Sequence, residues 1–125
     1  MKGNQMPQYV DGYVIPIKKK NLSAYKKMAT LGCKMWMEHG ALGYYECAMD
    51  DFSKFGQGFK KMAKLKPNET AVFGFVIYKN KAHRNKVNKK VMAAMSEIDF
   101  AGEMPFDMKR FAMAGCKVLV KAIKK

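Results

Sequence analysis

An α+β fold follows from three features of this sequence. Its apolar pattern alternates between strand-like and helix-like periods, so that segments come in the order β-α-β-β-α-β. Its 125 residues suit one domain, and such a chain buries roughly two thirds of its unfolded surface. Its strand-like segments carry bulk on both alternating faces. Two helices in this order lie on one face of a four-stranded antiparallel sheet, which is the ferredoxin-like arrangement. Residues 1–8 are expected to be a flexible tail, with one domain over 9–125. The sequence has no internal repeat and no low-complexity segment.

"YVDGYVIPIK" (9–18) reads as the first strand, with Tyr9, Tyr13 and Ile15 on one face and Val10 and Val14 on the other. Asn21 or Ser23 can cap a helix over 22–39, whose stripe is Leu22, Tyr25, Met28, Ala29, Gly32 and Trp36. Gly40 ends it. "ALGYYECAM" (41–49) is the second strand. Residues 50–69 are polar, hold two glycines and a proline, and form an excursion with a short helical turn near Phe59–Leu65. "TAVFGFVIY" (70–78) is the strongest strand. The basic stretch 80–96 is a second helix with Val87, Val91 and Met95 inward. Residues 97–110 are an irregular connection, and 111–121 are the last strand.

Composition narrows the class. Apolar residues make up 49%, which excludes wholesale disorder. No apolar run reaches the ~20 residues of a membrane helix, and "MKGNQMPQ" lacks the apolar core of a secretory signal. Cys33, Cys47 and Cys116 are odd in number, form no CxxC, and sit in apolar segments, so buried reduced thiols and a cytoplasmic protein are expected. Net charge is +14, but only Arg84 and Arg110 are arginines. Scattered lysines imply weak, salt-sensitive and non-specific nucleic-acid affinity rather than a dedicated site.

Ala71, Phe73, Phe75 and Ile77 alternate with Val72, Gly74, Val76 and Tyr78, so whichever face meets the helices, the opposite one is apolar. A bare apolar patch of that size is unusual on a soluble monomer, and a second copy related by a two-fold axis is the simplest cover. A homodimer through the sheet face is therefore expected. An RNA-recognition module instead leaves its sheet open and stacks bases on aromatics. "FGFVIY" (73–78) fits the end of that motif, but Ala71 and Val72 stand where it has a basic residue and a glycine.

"YVDGYVIPI", "EHGALGYYECAMDD", "FGFVIYKNKAHRNKVNKKVM" and "MPFDMKR" carry a further resemblance, running from Tyr9 to about Val118. In these pieces and their order the chain resembles the bacterial YbaA-like family, domain of unknown function 1428. The resemblance implies the dimeric α/β-barrel superfamily, in which two ferredoxin-like subunits pack sheet to sheet. That superfamily includes small monooxygenases, isomerases and haem-degrading enzymes. The family has no established activity, so the resemblance implies a fold and no reaction. The chain departs from the family pattern at Met108, where glycine is usual, at Cys116, where an aromatic is common, and in "AAMSE" (93–97), where an Asp-Pro turn is usual.

Glu46 is the sharpest candidate for chemistry. It shares a strand face with Leu42, Tyr44 and Ala48. If that face looks into a cavity between the two sheets, its carboxylate is a general base or a polar anchor. The structural alternative pairs it with Lys109 or Arg110. In "MPFDMKR", Pro105 forces Met104 out of helical angles, Asp107 can close an Asx turn, and Arg110 can pair with Glu46, Asp107 or an acid of the other subunit. Alternatively this stretch, with its bases Lys109 and Arg110, forms a cationic lip holding an acidic ligand over the barrel mouth. Tyr44, Phe75 and Lys109 are candidate ligand contacts. His39 is a helix cap before it is a base. Trp36 and His39 lie one helical turn apart, but nothing ties them to the interior, so no haem is expected. Histidines and cysteines lack metal-ligand spacing, and no cofactor or metal is expected. The leading expectation is a homodimer that binds or transforms a small organic molecule by cofactor-independent proton or oxygen chemistry. The others are an RNA or polyanion binder using the FGFVIY strand and surface lysines, and a non-catalytic structural or interaction dimer.

Overall fold

The computed structural model describes residues 7–97 and 104–124. Its elements are β1 (Tyr9–Lys18), α1 (Leu22–Glu38), β2 (Gly43–Ala48), a short α2 (Phe59–Met62), β3 (Glu69–Tyr78), α3 (Lys81–Met95) and β4 (Ala112–Lys117). Two 3-10 turns, Lys19–Asn21 and Met108–Arg110, precede α1 and β4. The strands form one antiparallel sheet in the order β2-β3-β1-β4. This is the ferredoxin-like sheet, with β1 and β3 in its middle. The expected tail over 1–8 falls mostly outside the described residues, as does the stretch 98–103 of the connection before β4.

Local chemistry sets the helix ends. Asn21 does not cap α1 with its side chain; its Nδ2 donates to the carbonyl of Pro105 at 3.0 Å and ties the start of α1 to the late loop. Ser23 lies inside the helix. At the other end Gly40 takes φ +116°, the N–H of Gly40 bonds Met37 O and that of Ala41 bonds Trp36 O. That is a Schellman stop, which suits glycine because a Cβ disfavours this φ. Asn80 caps α3, its side chain accepting from the N–H of His83 at 2.8 Å.

Register assigns the faces. Tyr13 stands opposite Gly74, Ile15 opposite Val72, Glu46 opposite Gly74 and Tyr44 opposite Val76. All of these lie on the face that α1 and α3 cover. Tyr78, Val76, Met35, Val87 and Val91 form one core cluster, and Ile15, Ile17, Tyr25 and Val72 form another. Val87 and Val91 are almost fully buried, worth about 1.5–3 kcal/mol each. Met35, absent from the predicted stripe, is the buried residue that turns α1 onto the sheet beside Trp36.

The opposite face carries Val10, Val14, Tyr45, Phe73, Phe75 and Ile77, with Ala112 and Ala114 from β4. Tyr45 and Phe75 stack at 5.0 Å, yet Tyr45 stays 56% and Phe73 41% exposed. The 50–69 excursion runs along the edge by Cys47 and Phe73 and leaves this face open. Two of the three cysteines depart from the expectation of burial. Cys47 and Cys116 are exposed on the outer face, and Cys33 is half-buried.

The last strand is shorter than predicted. Val118 still bonds Gln8 O, but the next residue would face Pro7, which has no N–H to offer. Leu119 and Val120 are accordingly left about 90% exposed.

Candidate functional site

A cavity of about 350 Å³ lies between the helices and the inner face of the sheet. Sequence placed the hollow between two sheets; the structure places the one beside Glu46 inside the subunit. The reason is register, since Glu46 shares the side of β2 that faces α1. Its carboxylate is held by two tyrosines: Tyr25 OH donates to Oε1 and Tyr44 OH to Oε2, each at 2.7 Å. Burial raises the pKa of both phenols above the ordinary tyrosine value, and their hydrogen bonds to Glu46 raise it further. Tyr13, beside them, is raised chiefly by burial and then by the charges of Tyr44 and Glu46. All three therefore remain neutral donors at physiological pH.

Glycines make room for this cluster. A Cβ on Gly74 would collide with the Tyr13 ring, which lies across β3 there. One on Gly32 of α1 would come to 3.1 Å of Tyr44 Oη. Beyond the cluster, Glu46, Tyr25 and Tyr44 also line a shallower recess with Lys26, Thr30 and Cys33, so they form the partition between the cavity and the surface.

The far end of the cavity holds a second polar group. Asp11, 4% exposed, accepts from Asn88 Nδ2 at 3.3 Å and ion-pairs with Arg84 Nε at 3.6 Å. That separation is too long for a hydrogen bond, and among the described residues Asp11 Oδ1 and Arg84 Nε have no other partner. Asn88 Oδ1 accepts from both Trp36 Nε1 and Tyr78 OH. Trp36 is thereby fixed to α3 as a core residue and makes no pair with His39. Met28, Met35, Met92, Met95, Met104 and Met113 supply much of the remaining wall. These flexible thioethers adapt to the shape of what they enclose.

"MPFDMKR" closes the cavity without lending it a charge. Phe106 packs edge-on against Tyr25 at 5.7 Å and stacks with Phe111, which stacks on Tyr13. Asp107 accepts from the N–H of Lys109 and caps the turn, as an Asx turn should. Arg110 meets neither Glu46 nor Asp107: it donates to Glu69 Oε2 at 2.7 Å and to Lys64 O at 2.8 Å. Lys109 is exposed and, like Arg110, lies outside the cavity wall, so no cationic lip forms over it. His39 is the residue after α1, its N–H bonded to Met35 O, away from the cavity. Phe75 points from the outer face, so of the three expected ligand contacts only Tyr44 lines the hollow. Among the described residues no group of three or more His, Cys, Asp or Glu could hold a metal.

Sequence reasoning missed Tyr13, Tyr25, Asp11 and Asn88 as site residues. A signal was present in "YVDGY": an acid flanked at two-residue spacing by tyrosines shares their face, and if that face is buried its polar groups need partners.

Comparisons with known proteins agree with this architecture. The family model described as "Protein of unknown function (DUF1428)" matches residues 8–108. The uncharacterized protein YbaA of Escherichia coli strain K12 is 32% identical over 115 residues, covering 90% of this chain and 97% of YbaA. The Shigella flexneri YbaA matches to the same extent. A solved structure described as a dimeric ferredoxin-like protein from an uncultured marine organism superposes with a TM-score of 0.54 at 13% identity, covering 93% of this chain and 99% of that one. At such identity the likeness carries the fold alone. By family model and by relative, the chain belongs to the DUF1428 family of proteins of unknown function.

Proposed function

We propose that this protein binds a small organic molecule in the cavity between its helices and its sheet, and that it works as a homodimer joined through the outer sheet face. One observation carries the binding reading: Glu46, a carboxylate with each oxygen held by a phenol, stands in the wall of a largely apolar hollow. Few convergent polar groups in an apolar, concave site are what small-molecule recognition requires. Both oxygens accept from phenols, which fixes the carboxylate in place as a polar anchor in the wall.

Support for the dimer comes from the open face. Tyr45, Phe73 and Phe75 are partly bare, and two exposed cysteines share that face. The similar solved structure is described as dimeric. No lysine or arginine lies on the inner stretch of this face, from Val10 to Pro16 and from Phe73 to Ile77. RNA stacked there would lack a cation for its phosphates, which disfavours the RNA reading.

The cavity is tested with methyl-labelled methionine and NMR, titrating neutral indole. The methyl resonances of Met28, Met35 and Met95 should shift together, while those of exposed Met62 and Met108 stay still. A titration that moves none of the cavity methyls sinks the binding reading.

A further inference from the structure

We infer that the ligand of this cavity is an organic cation, a protonated amine or quaternary ammonium carried on a compact apolar frame. The inference rests on the cavity being a ligand site and adds the ligand's charge.

The argument starts from a charge imbalance. The chain carries +14, yet the wall of the cavity contains two carboxylates, Asp11 and Glu46, and no lysine, arginine or histidine among the described residues. The two acids differ. Asp11 has Arg84 at 3.6 Å as its counter-ion. Glu46 has no cation within 4 Å among the described residues. Its partners are the neutral phenols of Tyr25 and Tyr44, which occupy one acceptor direction on each oxygen and leave the others free. Lys26 lines only the recess behind Glu46, beyond ion-pair distance.

An anionic ligand would meet this carboxylate with no cation in the wall to hold it. A neutral ligand would leave the charge uncompensated once water is expelled. An ammonium group makes a charge-assisted hydrogen bond to Glu46 and neutralises it. The rest of the wall suits the same guest. Tyr13, Tyr25 and Tyr44 cluster at the acid, their rings and that of Trp36 line the same wall and attract cations, and methionine thioethers pack against an apolar frame. The positive outer surface opposes a cation's approach, but that repulsion is largely screened beyond about 8 Å at physiological salt.

Triplets matched in frame and differing in charge test this by calorimetry at neutral pH and physiological salt. One triplet is 2-phenylethylamine, 2-phenylethanol and 3-phenylpropanoate; the others place the same three end groups on cyclohexyl and indole frames. On at least one frame the amine should bind about tenfold or more tighter than the alcohol, with the carboxylate weakest. Glu46→Gln should abolish that preference, and Lys61→Met, exposed and outside the cavity wall, should keep it. The wild-type ranking decides the matter even if Glu46→Gln does not fold. An alcohol or carboxylate that binds as well as its amine on every frame overturns the cation assignment and leaves the cavity reading intact. So does a failure of every amine while indole still moves the methionine methyls. If indole moves no methyl, the cavity reading fails first and this inference with it.

Discussion

Tyr44 and Glu46 on one side of β2, and Tyr45 and Cys47 on the other, are interleaved in sequence and opposite in circumstance. The first pair sits under α1, where Glu46 is held by two phenols. The second pair faces outward, where Tyr45 stacks on Phe75 and Cys47 is exposed. The inner face mixes acids, phenols and an amide joined by hydrogen bonds, with Asp11 Oδ1 at ion-pair distance from Arg84. The outer face is apolar and uncovered. Buried polar groups must find partners or shift the balance against folding, so the inner face encodes a specific network. The proposed dimer would draw on this face mainly for shape and apolar area.

The sharpest break in this contrast is a charge on the outer side. Phe75→Asp should raise the dimer dissociation constant at least about 1000-fold, roughly 4 kcal/mol, as read by light scattering across concentration. The monomer should keep its cooperative unfolding. A variant as dimeric as wild type would show that the sheets are not what joins the subunits.

Gly74→Ala probes the inner side. The new methyl runs into the Tyr13 ring, and overpacking of this kind costs about 1–3 kcal/mol. Urea unfolding should show that loss, and indole should no longer perturb the cavity methionines. Unchanged stability would mean that Tyr13 moves freely and that the cluster is not fixed.

The smallest effect belongs to the rim, where Arg110 pins the late loop to Glu69. Its hydrogen bond holds the Glu69 carboxyl below the usual carboxylate range, against a smaller opposing effect of burial. A lowered folded-state pKa contributes stability above the unfolded value, about 4.3, and loses it as pH falls through the folded value. Arg110→Met should therefore cost about 1 kcal/mol at neutral pH. The difference from wild type should shrink below about pH 4. A gap that is the same at low and neutral pH would assign the loss to packing instead.

Much of the architecture is legible in the residues. β1 over 9–18 needs only alternation, α1 needs its stripe and Gly40, and α3 needs Val87, Val91 and a capping Asn80. The ferredoxin-like order follows from the succession of elements. The site is less legible. Glu46 and Tyr44 stand out as a polar pair within a strand, but Tyr25 reads as one more member of an apolar stripe. Asp11 and Asn88 are 77 residues apart, and nothing local announces that they meet. Arg110 looks free to pair with Glu46 or Asp107, and only the assembled sheet, with Glu69 at the start of β3, brings that acid to it.

Periodicity and turn chemistry act between near neighbours, so composition and spacing were enough to name the elements, their order and the apolar character of both sheet faces. Which face the helices chose depends on register, on Gly74 admitting the Tyr13 ring and on Gly32 admitting Tyr44, contacts that exist only after the layers pack. That choice put Glu46 inside its own subunit rather than between two. The setting of its carboxylate among phenols, with no counter-ion among the described residues, is a property of the assembled layers and cannot be read along the chain.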